Sequence, residues 1–299
     1  MAETGADLAR ECALWALPSN GTCAGVARRL LRQALERMGL PDDQIYDATL
    51  AVNELAANVY THVLTRTRPT TPGPSTTTPG PSTIAPDASS ARATSSITTA
   101  DASPGIPDPT PAGAPELWLY RRGQNEDAQL VCKVFDPQRE PRTRIPTQVT
   151  PAHEFQEHGR GLTIVKNLAA NWGCHLTRSR LGGSCSIPGK AVWFAMPLPP
   201  WSAHRPPPRL TPAQAAHLLQ SMLAARGIPG ITRSDEWGQS TLVIRNTLKV
   251  RCQNATFTWT TNGFSAHYAF CDITETAEQL VRLHEELLSS PPIHAHAEE

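Results

Sequence analysis

Between Thr65 and Pro115 the sequence is dominated by Thr, Pro, Ser, Ala and Gly, and the heptapeptide TTPGPST occurs twice in tandem, from Thr70 and from Thr77. No aromatic residue lies between Tyr60 and Trp118. A stretch of this kind cannot bury enough apolar surface to offset the entropy of ordering its backbone, so the sequence predicts disorder there. It is also too long for an ordinary connection between two elements. Any folded domain must therefore be assembled from the segments on either side, with 65–115 as an insertion.

Those flanking segments are regular. Residues 11–17 read as a short buried strand ending at Pro18, and Ser19 or Asn20 can cap the helix that follows. Its apolar positions Val26, Leu30, Leu31, Ala34, Leu35 and Met38 recur at helical spacing, and Gly39 closes it. A second helix starts at Asp42 or Asp43, acidic residues suited to the positive end of a helix dipole, and runs to about Val63. Beyond the insertion, 116–121 and 129–135 read as strands joined by a polar turn from Gly123 to Asp127. A proline-rich loop, a helix from Gly161 to Ala170, and strands at 174–179 and 190–196 complete the unit. Residues 199–210 form a proline-rich linker. A smaller α+β unit spans 211–290, with helices at 212–226 and 275–288 enclosing strands at 241–245, 248–252, 256–260 and 266–270. Residues 291–299 are a tail.

Bulk properties exclude several functions. Lys and Arg balance Asp and Glu at 27 each in 299 residues, so there is no cationic surplus for direct nucleic-acid binding. Seven scattered cysteines without a CxxC pair argue against a disulfide framework and a structural zinc site. The polar, acidic N-terminal segment does not read as a signal peptide, and no run reaches the ~18 apolar residues of a membrane span. A cytoplasmic location without membrane contact is the expectation.

The chemistry concentrates on the second helix. Its apolar stripe comprises Ile45, Ala48, Val52, Leu55, Ala56, Val59 and Val63, while Glu54 and Asn58, four residues apart, share a different face. A wet helix face would carry such a pair by chance. The functional alternative is an amide oxygen and a carboxylate aimed together into a cleft. There the amide can hold Mg²⁺ and the carboxylate can act as a general base. His62 continues the row, although a histidine near a helix C-terminus is commonly explained by the dipole. Asp136 stands where a strand enters a turn, able to accept from an exocyclic amine. Gly159 and Gly161 flank Arg160 immediately before an apolar helix, where free N–H groups can meet phosphate.

The order ELAAN, VFDPQREPR, GRGLTIVKNLAANWG and KAVWFAM resembles the ATP-binding domain of anti-sigma-factor serine/threonine kinases, in the form abundant in actinomycetes. These belong to the histidine kinase, gyrase and Hsp90 superfamily. The resemblance covers residues 8–198 apart from the insertion, so that 1–64 and 116–198 form one ATP-binding domain. It implies an α/β, two-layer sandwich of a mixed sheet with helices on one face. It further implies ATP and Mg²⁺ as cofactors, with Asn58 binding the metal and Glu54 the catalytic base. Asp136 would read adenine, and Gly159, Arg160 and Gly161 would border the phosphates. By the same resemblance the substrate is a protein antagonist in a network ending at a sigma factor, and the protein forms homodimers. Gln138 stands where the family has Gly or Ser, and the loop from Asp136 to Gly159 is short and rich in proline. These departures keep open the alternative of an inactive ATP-binding interaction module. The C-terminal unit offers no chemical motif, and an accessory role is expected of it.

Overall fold

The computed structural model describes residues 12–59, 113–138, 160–182, 186–200, 210–261 and 263–289. The insertion, His62, Gly159 and the proline-rich loop before it, most of the linker and the tail lie outside the described residues.

The first unit has strands β1 (Cys12–Ala16), β2 (Glu116–Arg122), β3 (Gln129–Asp136), β4 (Asn171–Arg178) and β5 (Pro188–Pro197). Its helices are α1 (Cys23–Arg37), α2 (Asp42–Val59) and α3 (Arg160–Leu168). The sheet order is β1-β2-β3-β5-β4. Every pairing is antiparallel, where a mixed sheet was expected. The reason is topological. The crossover through α3 carries β4 beyond β3, and the returning β5 inserts between them, so the two strands of like direction never become neighbours.

One face of this sheet carries the expected core. Leu117, Leu119, Leu130, Cys132, Val134, Phe194 and Met196 pack there against Leu31 and Leu35 of α1 and Val52, Leu55 and Ala56 of α2. α1 begins later than the sequence suggested. Asn20 accepts from Thr22 N–H at 2.9 Å, which stabilises the turn before the helix, and Thr22 is the cap residue. Gly39 ends the helix with φ +70, as its placement implied.

The second unit contains α4 (Pro212–Ala225), strands β6 (Ile231–Glu236), β7 (Gln239–Ile244), β8 (Leu248–Gln253), β9 (Thr256–Thr261) and β10 (Phe264–Ala269), and α5 (Ile273–Ser289). The strands form an antiparallel meander in the order β10-β9-β8-β7-β6. Thr211 and Gln214 make a reciprocal capping box that fixes the start of α4. Leu219, Leu223, Val250, Phe257, Phe270, Leu280 and Val281 belong to a core separate from the first.

The two units meet through charge. The second face of the first sheet carries Glu116, Trp118, Tyr120, Lys133, His175 and Thr177, all buried. Against it lies α5, whose Glu275, Glu278 and Glu285 are buried as well. Glu278 pairs with Arg226 and with Lys133 at 3.4 Å and Arg180 at 3.6 Å. Glu275 accepts from the Tyr120 hydroxyl at 2.6 Å, and Glu285 pairs with Arg178 at 3.0 Å. Burial alone would raise the Glu278 carboxyl, but Arg226, Lys133 and Arg180 together hold it well below its ordinary range. His175, 3.2 Å from Lys133, is pushed down to about 3 by burial and by that ammonium, so it is neutral in the folded protein. The sheet is therefore covered on both faces.

Candidate nucleotide site

Helix α2 forms because apolar residues recur along one stripe and Asp42 and Asp43 occupy its first turn. Ile45, Ala48, Val52, Leu55, Ala56 and Val59 are buried, as the pattern required, and Thr49 and Ala51 join them. Glu54 and Asn58 lie half-buried one turn apart at the margin of this stripe. The Asn53 amide approaches Glu54 Oε1 at 3.4 Å, and Arg28 approaches Asn53 Oδ1 at 3.4 Å. These are long contacts and hold Glu54 loosely.

The first turn of α3 is pressed onto this pair. A Cβ at Gly161 would stand 2.8 Å from Glu54 Oε2, 3.4 Å from Glu54 Cβ and 3.6 Å from Asn58 Nδ2. Glycine gives that approach room, through proximity to the end of the Glu54 side chain rather than through an unusual φ. The helix starts at Arg160, so the N–H groups of its first turn have no intrahelical acceptor. A carboxylate, an amide and a helix N-terminus thus converge on one place. The set suits a hard cation shared with phosphate: one protein oxygen suffices where phosphates and water supply the rest. Among the described residues there is no group of three His, Cys, Asp or Glu that could hold a metal. Any metal here would rely on that shared kind of coordination.

Asp136 lies on the same, helix-covered side of the sheet, at the end of β3. It is buried, and its Oδ1 accepts from Gln138 N–H at 2.9 Å. Its cross-strand neighbour on β5 is Lys190, whose Nζ lies 3.3 Å from Asp136 Oδ2. Gly189 allows the strands to close here. A Cβ at that position would meet the Asp136 carbonyl oxygen and stand 2.6 Å from the Phe135 ring. On β4 the Cys174 thiol is raised to about 11 by burial, with Lys190 pulling the other way, so it remains a neutral neighbour of the pair.

Glu54, Asn58 and Gly161 are therefore brought together, and Asp136 shares their side of the sheet. Arg160 opens α3. The residue that sequence reasoning missed is Lys190. KAVWFAM reads as a strand, but only the register of β5 against β3 reveals that its first residue faces Asp136. No pattern local to either strand carries that information.

Three helices over one face of an antiparallel sheet, with a Glu/Asn pair under the first turn of α3, define a nucleotide-binding sandwich. Residues 17–183 match the model of the histidine kinase-like ATPase domain, and the chain belongs to that family. The match spans the insertion and includes every site residue predicted from the sequence. No curated protein matches the chain. Among the described residues, no helix is long and apolar enough to cross a membrane.

Proposed function

We propose that the chain is a Mg-ATP-dependent serine/threonine kinase that phosphorylates a partner protein in transcriptional regulation, in the manner of anti-sigma-factor kinases. The observation that supports this reading is the closeness of Gly161 to Glu54 and Asn58, which brings a carboxylate and an amide side chain to the first turn of α3. Asn58 would hold Mg²⁺, which neutralises charge on the phosphates when bound. Glu54 would take the proton of the partner's hydroxyl as that oxygen bonds to the γ-phosphorus, the bond to the β-phosphate oxygen breaks, and ADP leaves. Half-burial leaves Glu54 within reach of a substrate hydroxyl. Its loose tether lets it settle against one.

The test combines calorimetry with phosphate transfer. Asn58→Ala should abolish the Mg²⁺ dependence of ATP binding while the protein stays folded. Glu54→Ala should keep ATP binding and lower transfer to a co-purified protein by a factor of about a hundred or more. Full transfer by Glu54→Ala would remove the proposed base. Absence of any transfer by the wild type, with ATP still bound, would leave a nucleotide-regulated interaction module.

A further inference from the structure

The outward face of β8, β9 and β10 carries charge of one sign. Strand alternation sends Val250, Cys252, Phe257 and Trp259 into the core shared with α4 and α5. It sends Lys249, Arg251, Thr258, Thr260, Ser265 and His267 to the opposite side, where they border an open depression of about 350 Å³. In the register Arg251 faces Thr258 and Thr258 faces His267, while Thr260 faces Ser265. The two threonines thus stand between the cations of β8 and the imidazole of β10. Strand spacing puts Arg251 and His267 about 10 Å apart at the backbone, and Lys249 about 7 Å along β8 from Arg251.

The bland alternative is a solvated face, since a half-buried sheet turns polar residues to water. Such surfaces ordinarily intersperse both signs of charge. Here β7 to β10 hold no Asp or Glu, and the acids of the sheet, Asp235 and Glu236, stand on β6, two strands from β8. Arg233 and Arg282 each have a carboxylate partner, but among the described residues Lys249, Arg251 and His267 have none. The Thr260 and Ser265 hydroxyls lie 3.2 Å apart, and whichever donates to the other, one proton stays free for a ligand.

We propose that this face is a docking site for a phosphoserine- or phosphothreonine-bearing segment of a partner protein. The proposal goes beyond the kinase reading and stands without it. A phosphomonoester brings about −1.5 to −2 of charge and three acceptor oxygens on one centre. Lys249 and Arg251 on one side, His267 on the other and the hydroxyls of Thr258 and Thr260 between them supply a donor for each oxygen. A carboxylate offers one charge and two oxygens, too few for that set. A nucleic-acid strand would need a longer cationic track and aromatic platforms for its bases. Trp259 is instead turned into the core, stacked on Tyr268, and β6 ends the track in acids.

The experiment titrates the full chain onto beads carrying a degenerate peptide pool with a central phosphothreonine. Parallel beads carry the same pool with threonine or glutamate at that position, or a short single-stranded oligothymidine. The phosphorylated pool is expected to bind at least about tenfold tighter than the other three. Arg251→Gln and Lys249→Gln should each weaken it by roughly ten- to a hundredfold, the worth of one charge-assisted hydrogen bond, with Mg-ATP affinity unmoved. Both side chains are exposed, and if one variant fails to fold the other decides. Equal binding of the phosphorylated and unphosphorylated pools overturns the proposal. So does glutamate binding as well as phosphothreonine, which marks a general acidic partner, or oligothymidine binding tighter than the peptides, which marks a nucleic-acid face. A phosphate preference that survives both substitutions puts the binding elsewhere and overturns it too. A wild type that binds no ATP yet keeps the preference removes the nucleotide reading and leaves this one standing.

Discussion

The two faces of the first sheet are buried to a similar degree but held by different chemistry, because the second adds a set of ion pairs to an apolar cluster of Trp118, Tyr120, Val131, Phe135 and Ala195. Toward α1 and α2 the contacts are between Leu, Val, Ala and Phe, and any apolar residue of similar volume can keep them. Toward α5 they are ion pairs and hydrogen bonds among Lys133, Arg178, Arg180, Arg226, Glu275, Glu278 and Glu285, each needing a particular atom at a particular distance. Apolar burial stabilises without direction. Buried charges gain little net stability over an apolar replacement but penalise any misplacement heavily. The first face gives the nucleotide domain its core, and the second dictates one way for the C-terminal unit to sit on it.

The sharpest way to break the comparison is an isosteric change on the charged face. Glu278→Gln keeps the volume but removes the carboxylate that Lys133, Arg180 and Arg226 share, leaving Glu116 and Glu275 as the remaining counter-charges, and should cost about 3–5 kcal/mol in denaturant unfolding. A loss below about 1 kcal/mol would mean that water reaches the interface and the face is not truly buried.

Acid should separate the faces next. His175 titrates near 3 when folded but near 6.5 when unfolded, so the unfolded chain holds the extra proton between those values. Stability should therefore fall as pH drops below about 6.5, by up to ~1.4 kcal/mol per pH unit. Below about 4.5 a further loss sets in. Glu278 and Glu275, both held below their ordinary range against the effect of burial, must then take up protons on unfolding. Unfolding midpoints measured from pH 7 to pH 4 would show this slope, and His175→Gln should flatten its upper part. A midpoint independent of pH in that window would contradict the neutral, buried His175.

On the apolar face the matching isosteric change, Leu31→Met, should cost less than about 1.5 kcal/mol. A loss as large as that of Glu278→Gln would erase the distinction drawn here. Gly161→Ala should have the smallest effect on stability, under about 1 kcal/mol, because the new methyl meets the far end of a flexible Glu54 side chain. Nucleotide affinity should nevertheless drop, as the methyl drives Glu54 away from Asn58. Unchanged affinity would mean that ligands do not approach α3 from this side.

How much was legible beforehand follows the same division. The apolar stripes of α1 and α2, the strands of the first sheet and the Glu54–Asn58 pair were readable because period and spacing are local. The charged face was not. On α5 Leu287 and Leu288 are exposed, while Glu278 and Glu285 are fully buried. A carboxylate in a helix reads as solvent-facing unless its distant cations are known, and here they come from three separate segments. β6 went unread for a related reason. ITRSDE has no apolar alternation, because nearly every residue of it is exposed and its strand character comes from pairing with β7. The sheet direction was misjudged because strand order is a property of the whole chain.

The same strand bears on how the protein behaves at high concentration. β6 lies at the margin of its sheet with one row of backbone groups facing outward, a surface on which a foreign strand could lengthen the sheet. Arg233, Asp235 and Glu236 are exposed there, with Arg233 and Asp235 paired at 3.2 Å. Any chain adding to this edge would have to desolvate those charges, so β6 works as a gatekeeper against sheet-to-sheet aggregation.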